Sequence, residues 1–203
     1  LGCVLLVIVT AACSLSPAES YYTRGWEYLE QGDYENAIES FTEAIRLDPQ
    51  DRSYNSRGIA YAGLSQYERA IQDYDVSILF DPQEAGVYRN RGEAYYYLGQ
   101  HERAIQDYDE AIRLDPQNAM SYNNKGNAFV GLDQYEQAIA DYTEAIRQNP
   151  QYANAYNNRG NAYYDLGQYE RAIQDYDEAI RIDPSHEHAL HWRDEATKRV
   201  RDR

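Results

Sequence analysis

Three asparagines recur at a constant interval of 34 residues, at Asn90, Asn124 and Asn158. A carboxamide carries two N–H donors and an oxygen that accepts, so it pairs with a peptide backbone without requiring particular side chains on the partner. The spacing therefore predicts a series of equivalent contacts to an extended polypeptide, provided that the elements carrying these asparagines are repeated as well.

Further polar and aromatic residues extend this candidate peptide-binding surface. Tyrosine and arginine are enriched where proteins bind one another, and asparagine adds hydrogen bonds. The alternative is that asparagine is only a tolerated, solvated residue at these positions. The other candidate binding residues are Asn127, Asn161, Asn123, Asn157, Arg89, Tyr96 and Tyr164, with Asn154 nearby.

Two charged series follow the same interval. The basic series could form a ladder for acidic partners, but ion pairs between the two series explain both more economically. Such partly buried pairs set register more than they add stability. We therefore predict internal ion pairs. The basic series is Arg24, Arg57, Arg91, Lys125 and Arg159, and the acidic series is Asp73, Asp107, Asp141 and Asp175.

Residues that could support catalysis or bind a metal are sparse. His186, His188 and His191 form the one histidine cluster of the sequence, and no third strong ligand is evident beside His188 and His191. A solvated helix start is the simpler interpretation of this cluster. No set of nucleophile, base and orienting group is apparent, and no glycine loop suited to phosphate. The sequence predicts no enzyme, no metal site and no cofactor.

Repeated elements must position these residues, and the prolines define them. Pro49, Pro82, Pro116, Pro150 and Pro184 are separated by 33, 34, 34 and 34 residues. Proline disfavours helical geometry in the residue before it and lacks an amide donor, so each one ends a helix. The predicted repeats 1 to 5 cover 18–50, 51–84, 85–118, 119–152 and 153–186.

Each repeat contains the pattern of a helical hairpin. In repeat 3, Tyr88, Gly92 and Tyr95 occupy positions 4, 8 and 11, which share one helical face. Ala104 and Tyr108 follow at positions 20 and 24, on the face of the second helix that would pack against the first. The turn between the two helices has Gly32, Gly99 and Gly167 in three repeats, and Ser65 and Asp133 in the other two.

These landmarks resemble the tetratricopeptide repeat family, whose pattern W-x2-L-G-x2-Y…A-x3-F…P has the same spacings. The chain departs from it with Tyr for Trp at position 4, Arg or Lys for Leu at position 7, and mostly Tyr for Phe at position 24. The resemblance implies an all-α fold, a right-handed α-solenoid of five helix-turn-helix repeats closed by a capping helix over 187–203. It also implies that the first helices line a concave groove.

Family members also suggest what the groove binds. The asparagine series is similar to the asparagine ladder in the repeat region of O-linked sugar transferases. Arg89 and Asn124 match parts of the carboxylate clamp of co-chaperones, which binds an acidic C-terminal peptide. However, this clamp needs Asn, Lys and Arg where the chain has Glu93, Asn154 and Asn158. We therefore expect no carboxylate clamp.

The N-terminal segment is almost entirely apolar over residues 1–12. It is too short to span a hydrocarbon core of about 30 Å and is typical of the apolar part of an export signal. We predict a signal segment over 1–12, incomplete at its start, and a tether over 13–17. Thr10-Ala11-Ala12-Cys13 resembles the lipobox of bacterial lipoproteins, although that family usually has an aliphatic residue in place of Thr10.

This resemblance implies a lipid on Cys13 that anchors the chain to a membrane. Plain secretion after cleavage behind Ala12 and a retained membrane anchor are the alternatives. Both cysteines, Cys3 and Cys13, lie in this segment, so the repeats have no cysteine for a disulfide or a zinc site.

The net charge limits the possible partners. The chain has 34 acidic and 19 basic residues and a formal charge of −15, which repels nucleic acid. We therefore predict a protein–protein interaction scaffold of the bacterial cell envelope that binds an extended peptide or a partner helix in its groove. It would be exported as a lipoprotein, or secreted or periplasmic. The alternatives are a self-associating solenoid that forms homo-oligomers, or the repeat region of a larger enzyme system.

Overall fold

The computed structural model describes residues 15–49 and 51–202. The predicted signal segment and Cys13 lie outside these residues. All regular structure in the described part is helical, which confirms the predicted all-α class. The helices are α1 (Pro17–Glu30), α2 (Tyr34–Leu47), α3 (Asp51–Gly63), α4 (Tyr67–Phe80), α5 (Ala85–Tyr97), α6 (His101–Leu114), α7 (Ala119–Val130), α8 (Tyr135–Gln148), α9 (Ala153–Asp165), α10 (Tyr169–Ile182) and α11 (Glu187–Arg201).

Backbone geometry at the helix ends follows from residue type. The residue before each of the five regularly spaced prolines has an extended backbone and ends a second helix. Examples are Asp81 with ψ of 94° and Asn149 with ψ of 93°. The turn inside each hairpin needs a residue with positive φ, which glycine adopts without strain. The turn residues with positive φ are Gly32, Gly99 and Gly167, and also Ser65 at 59° and Asp133 at 57°.

Glycine at position 8 allows the two helices of each repeat to approach closely. In repeat 4 a Cβ on Gly126 would lie 2.6 Å from Cε1 of Tyr142, which is far inside van der Waals contact. The Tyr142 ring is fully buried against this glycine. The aromatic residue at position 24 and the glycine at position 8 therefore form one packing unit in every repeat.

The repeats stack so that the first helices lie on the inner side of the curve. Each helix packs on the next one along the chain, and α1, α3, α5, α7 and α9 also contact one another in succession. No such contact joins successive second helices among the described residues. The first helices are therefore closer together, which makes their free side the concave surface. Buried alanines at position 10 line this stack at Ala60, Ala94, Ala128, Ala162 and Ala196.

The C-terminal helix α11 closes the stack, as predicted. It packs on α9 and α10, with Ala189 and Ala196 buried in the interface. Arg193 lies 3.7 Å from Asp177 of the preceding helix, so it occupies the register of the basic residue at position 7 of a repeat. Asp194 stands where the repeats have glycine, because no second helix packs on this face in the part that the structure describes.

Candidate functional site

The concave groove contains most of the candidate residues, but two of them are beneath its surface. Asn123 is 4% exposed and Asn157 is 7% exposed, so both side chains lie between adjacent first helices. The remaining candidates are partly exposed on the first helices: Asn90, Asn124, Asn158, Asn127, Asn161, Arg89, Tyr96 and Tyr164. Which of these are free to bind depends on the hydrogen bonds that they already make.

In repeats 4 and 5 the asparagines bond to one another across the repeat interface. Asn158 Nδ2 donates to Asn123 Oδ1 at 3.0 Å and lies 3.2 Å from Asn127 Oδ1. Asn157 Nδ2 donates to Asn158 Oδ1 at 3.3 Å. Because both polar ends of the Asn158 carboxamide are occupied, this side chain joins two repeats instead of presenting free donors.

Asparagine at position 9 also satisfies the buried tyrosine of its own repeat. The Tyr142 hydroxyl donates to Asn127 Oδ1 at 2.7 Å, and the Tyr176 hydroxyl donates to Asn161 Oδ1 at 2.9 Å. A buried hydroxyl without a partner is costly, so these bonds stabilise the fold. Asn127 and Asn161 therefore have a structural role that their position in the groove did not suggest.

The asparagine series is interrupted between repeats 3 and 4. Asn90 Nδ2 donates to Asn55 Oδ1 at 3.3 Å, which repeats the interface bond of Asn158. The next interface cannot form it, because Arg89 takes the place of the accepting asparagine and has donors only. Arg89 instead lies 3.5 Å from Asn90 Oδ1. Asn124 accepts only a long bond of 3.4 Å from Asn123.

The C-terminal end of the groove is covered by α11. The Tyr164 ring packs on Trp192, with centroids 5.1 Å apart, and on Tyr169 at 5.0 Å. Arg199 Nε donates to the Tyr164 hydroxyl at 3.3 Å. Tyr164 is therefore a contact of the capping helix and not an open binding residue.

The histidine cluster at this end has a capping role. His186 Nδ1 accepts from the backbone N–H of Ala189 at 3.3 Å and caps α11. Its Nε2 lies 3.1 Å from Asn154 Oδ1, which ties the cap to repeat 5. No group of three or more histidine, cysteine or acidic side chains suited to a metal occurs within the described ranges.

An open cavity of about 440 Å³ lies at the other end of the groove, between repeats 1, 2 and 3. Its lining includes four tyrosines and one carboxylate, and Asn90 is the one predicted binding residue in it. This volume is within the range of about 300–1,000 Å³ that is typical of binding pockets. The lining residues used below are Tyr34, Tyr67, Tyr74, Tyr97, Asn90 and Glu93.

Residue size at position 13 creates this cavity. Gly63 lies against Tyr34, since a Cβ there would be 2.4 Å from Cε1 of the ring. In the next repeat the same position holds Tyr97, which stacks on Tyr67 with centroids 5.1 Å apart and planes at 13°. The sequence shows that position 13 changes from Gly63 in repeat 2 to Tyr97 in repeat 3. That this change lies beside a cavity is evident only once the three repeats are stacked.

Glu93 connects this cavity to a smaller one of about 80 Å³, which Tyr96, Tyr108, Asn124 and Asn127 also line. Burial raises the pKa of Tyr74 and Tyr108, and the negative charge of nearby Glu93 raises each pKa further. Glu93 makes no ion pair or hydrogen bond in the part of the chain that the structure describes. It occupies position 9, where repeats 4 and 5 have asparagine.

The charged series lies behind the groove and pairs internally, as predicted. Arg57, Arg91 and Arg159 each form two hydrogen bonds of 2.6–2.8 Å to Asp73, Asp107 and Asp175 respectively. Arg24 differs, because repeat 1 has Ser40 at the acidic position.

The pair in repeat 4 is weaker, because Lys125 approaches Asp141 at 3.3 Å with a single nitrogen and also binds Asp109 at 2.9 Å. Burial raises the pKa of Asp141 to about 6, and the attraction of Lys125 only partly opposes it. The other four repeats have arginine at this position, whose planar fork matches a carboxylate better than an ammonium does.

Comparisons with solved structures show the fold. PilF of Pseudomonas aeruginosa superimposes with a TM-score of 0.80 at 21% identity, over 91% of this chain and 85% of that one. MamA of Desulfovibrio magneticus RS-1 has a TM-score of 0.76 at 20% identity, over 85% of this chain and 99% of that one. YrrB, described as having an unusual peptide-binding site, has a TM-score of 0.69 at 22% identity, over 86% and 90%.

The search of curated proteins found no match. None of the described helices is both long and apolar enough to cross a membrane.

Tetratricopeptide repeat models match residues 18–51, 92–133 and 123–187, which together make up more than half of the chain. The helical hairpins, their glycine–aromatic packing and these matches show that the chain belongs to the tetratricopeptide repeat family.

Proposed function

We propose that this protein is a non-catalytic interaction scaffold that binds an extended segment of a partner protein in its concave groove. The two cavities around Glu93 carry this proposal. They bring together the Glu93 carboxylate and the side chains of Tyr74 and Tyr108, whose rings are buried and line the cavities, and neither hydroxyl has a hydrogen-bond partner among the described residues. Polar groups without internal partners are what a bound peptide would satisfy.

Related structures support a peptide as the ligand. YrrB, which has the same fold, is described as having a peptide-binding site. Extended segments suit this groove because Asn124 lines the smaller cavity and makes only one long internal bond, so its carboxamide offers hydrogen bonds to a backbone. The binding surface that we propose is therefore centred on repeats 2 and 3 and the start of repeat 4.

We also propose that the protein works at the bacterial cell envelope, held to the membrane by a lipid on Cys13. The support is the apolar segment 1–12 followed by Ala11-Ala12-Cys13. Mass spectrometry of the protein purified from its native membrane tests this. A diacylated N-terminal Cys13 is expected, with its loss in Cys13→Ser and its retention in Cys3→Ser. An unmodified N-terminus at Cys13 in the mature protein would contradict the anchor.

Affinity capture from envelope extracts tests the scaffold. The double variant Asn124→Ala/Glu93→Gln should lose at least about 90% of the captured partner, since it removes two polar groups of the groove that make little or no internal bonding. Gln106→Ala on α6 is the matched control, because Gln106 is exposed on a second helix outside the groove. Equal capture by all three proteins would contradict groove binding.

Light scattering on the same preparations separates the scaffold from the self-associating alternative. The scaffold proposal expects a monomer in the absence of its partner. A stable dimer that dissociates in Asn124→Ala/Glu93→Gln would instead assign the groove to a second copy of the chain.

A further inference from the structure

The 440 Å³ cavity has the composition of a pocket for a cation. Tyr67 and Tyr97 stack on each other at its edge, and Tyr34 and Tyr74 add two further rings. The face of an aromatic ring is negative, so it attracts an ammonium or guanidinium group within about 6 Å. Four tyrosines around one cavity therefore favour a positively charged ligand over an anionic one.

Glu93 supplies a full negative charge to the same cavity. The acidic residues at position 23 all face a basic side chain of their own repeat, whereas Glu93 has no cation within ion-pair distance in the described part of the chain. Arg89, one helical turn before Glu93, bonds to Asn90 and does not line the cavity, and its charge only partly opposes the rise in the pKa of Tyr74. The negative charge of this pocket is thus not neutralised internally.

We propose that this cavity is a specificity pocket for an arginine side chain of the bound segment. This inference rests on the proposed function, because the arginine would belong to the partner peptide. The planar guanidinium would stack on a tyrosine ring and donate in parallel to both oxygens of Glu93, and Asn124 of the adjoining smaller cavity would bond the adjacent backbone. Charge complementarity excludes an acidic C-terminal peptide from the same position, since Glu93 would repel it.

The chemistry also discriminates between arginine and its closest neutral analogue. Citrulline has the same length and a planar end group, but it carries no charge and has an oxygen in place of one amino group. A cation–π contact combined with a carboxylate should therefore favour arginine over citrulline by roughly tenfold or more in Kd. A pocket that only excluded water would bind the two alike.

Two titrations of the full-length protein test this proposal. In the first, calorimetry measures acetylated peptides of glycine and alanine with a central arginine, citrulline or glutamate. In the second, NMR follows the ring signals of tyrosine while n-propylguanidinium or neutral n-propylurea is added. The peptides test the pocket within the groove, and the two small molecules test the pocket alone.

We expect the arginine peptide to bind most tightly, and n-propylguanidinium but not n-propylurea to shift the signals of Tyr67 and Tyr97. Glu93→Gln should reduce the preference for arginine to within about twofold, and Tyr97→Ala should weaken it by removing an exposed wall. Glu102→Gln is the matched control, because Glu102 is an exposed acid on α6 outside the cavity. Both the control and the wild type should retain the preference.

Three outcomes separate this inference from the function on which it rests. Equal binding of the arginine and citrulline peptides would overturn the arginine pocket and leave peptide binding intact. Guanidinium shifts that depend on Glu93, without binding of any peptide, would support the pocket and contradict the peptide-binding groove. A dimer whose interface is lost in Glu93→Gln would assign the pocket to a basic residue of a second copy and overturn the proposal.

Discussion

Tyr74 and Tyr142 occupy the same position in repeats 2 and 4, yet they contribute differently to the groove. Tyr142 donates to Asn127 and is closed off inside its repeat. Tyr74 has Ile59 in place of that asparagine and faces an open cavity. Repeats 4 and 5 therefore bond this tyrosine hydroxyl internally, whereas repeats 2 and 3 leave it without a partner beside the cavities. The identity of one residue at position 9 decides between these two uses.

The largest expected effect tests the packing that both halves share. Gly126→Ala places a Cβ 2.6 Å from the Tyr142 ring and should lower the free energy of unfolding by about 3 kcal/mol. Urea unfolding followed by circular dichroism measures this change. Gly86→Ala is the control, because its Cβ would meet only Glu84 Oε1, at 3.8 Å. It should be stabilising by about 0.5–1 kcal/mol, since alanine favours the helix. A similar loss in both variants would refute the close-packing argument.

The next largest effect tests the structural role of asparagine at position 9 in repeat 4. Asn127→Ala removes the acceptor of the buried Tyr142 hydroxyl and one acceptor of Asn158, so it should be destabilising by about 2 kcal/mol. Asn124→Ala, one turn away on the same helix, loses only a long bond and should cost less than about 0.5 kcal/mol. Equal stability of the two variants in urea unfolding would contradict the claim that asparagine at position 9 stabilises the fold.

A pH-dependent effect distinguishes repeat 4 from its neighbours. The pKa of Asp141 is raised to about 6, above the value of about 3.9 for an unfolded chain. The folded protein therefore binds more protons between about pH 4 and 6, so the free energy of unfolding falls as pH rises through this window.

Asp141→Asn should remove that decline, which is on the order of 2 kcal/mol. Denaturant titrations at pH 4, 5, 6 and 7 measure it. Asp177→Asn is the matched control, because Asp177 is also an aspartate on a second helix that pairs with a basic residue of the next helix, but its side chain is 58% exposed and its charge does not contribute to the pKa of Asp141. An unchanged pH slope in Asp141→Asn would contradict the raised pKa.

The smallest effect concerns the hairpin turns. Ser65 adopts φ of 59°, where the equivalent turns have Gly32, Gly99 and Gly167. Ser65→Gly relieves this strain and should raise stability by roughly 0.5–1 kcal/mol. Thermal unfolding should show a rise of a few degrees at most. A lower melting temperature would show that the serine side chain contributes more than its backbone strain costs.

The fold was predictable because its determinants are local and repeated. The glycine–aromatic pair of each hairpin lies within a single repeat, and the turn and proline positions act on the nearest few residues. The helical class, the stacked hairpins and the closing helix could therefore be derived from the sequence, and the structure confirms them. Even the non-glycine turn residues Ser65 and Asp133 take the predicted turn conformation.

The binding site was less predictable because its chemistry depends on contacts between repeats. Asn158 bonds to Asn127 and Asn123, 31 and 35 residues away, and no pattern within one repeat indicates that these carboxamides are used internally. The aromatic cavity combines Tyr34, Tyr67 and Tyr97 from three repeats. The sequence indicated the groove-facing positions, but only the packed structure distinguishes occupied polar groups from free ones.

Site-specific photo-cross-linking tests most directly whether binding is centred on the open cavities of repeats 2 and 3. Benzoylphenylalanine would replace Tyr97 or, at the equivalent position of repeat 5, Asp165, and both native side chains are exposed. Irradiation in native envelope extracts should cross-link the partner from position 97 and not from position 165. Cross-linking from position 165 alone would contradict the account and assign binding to the asparagine-rich end of the groove.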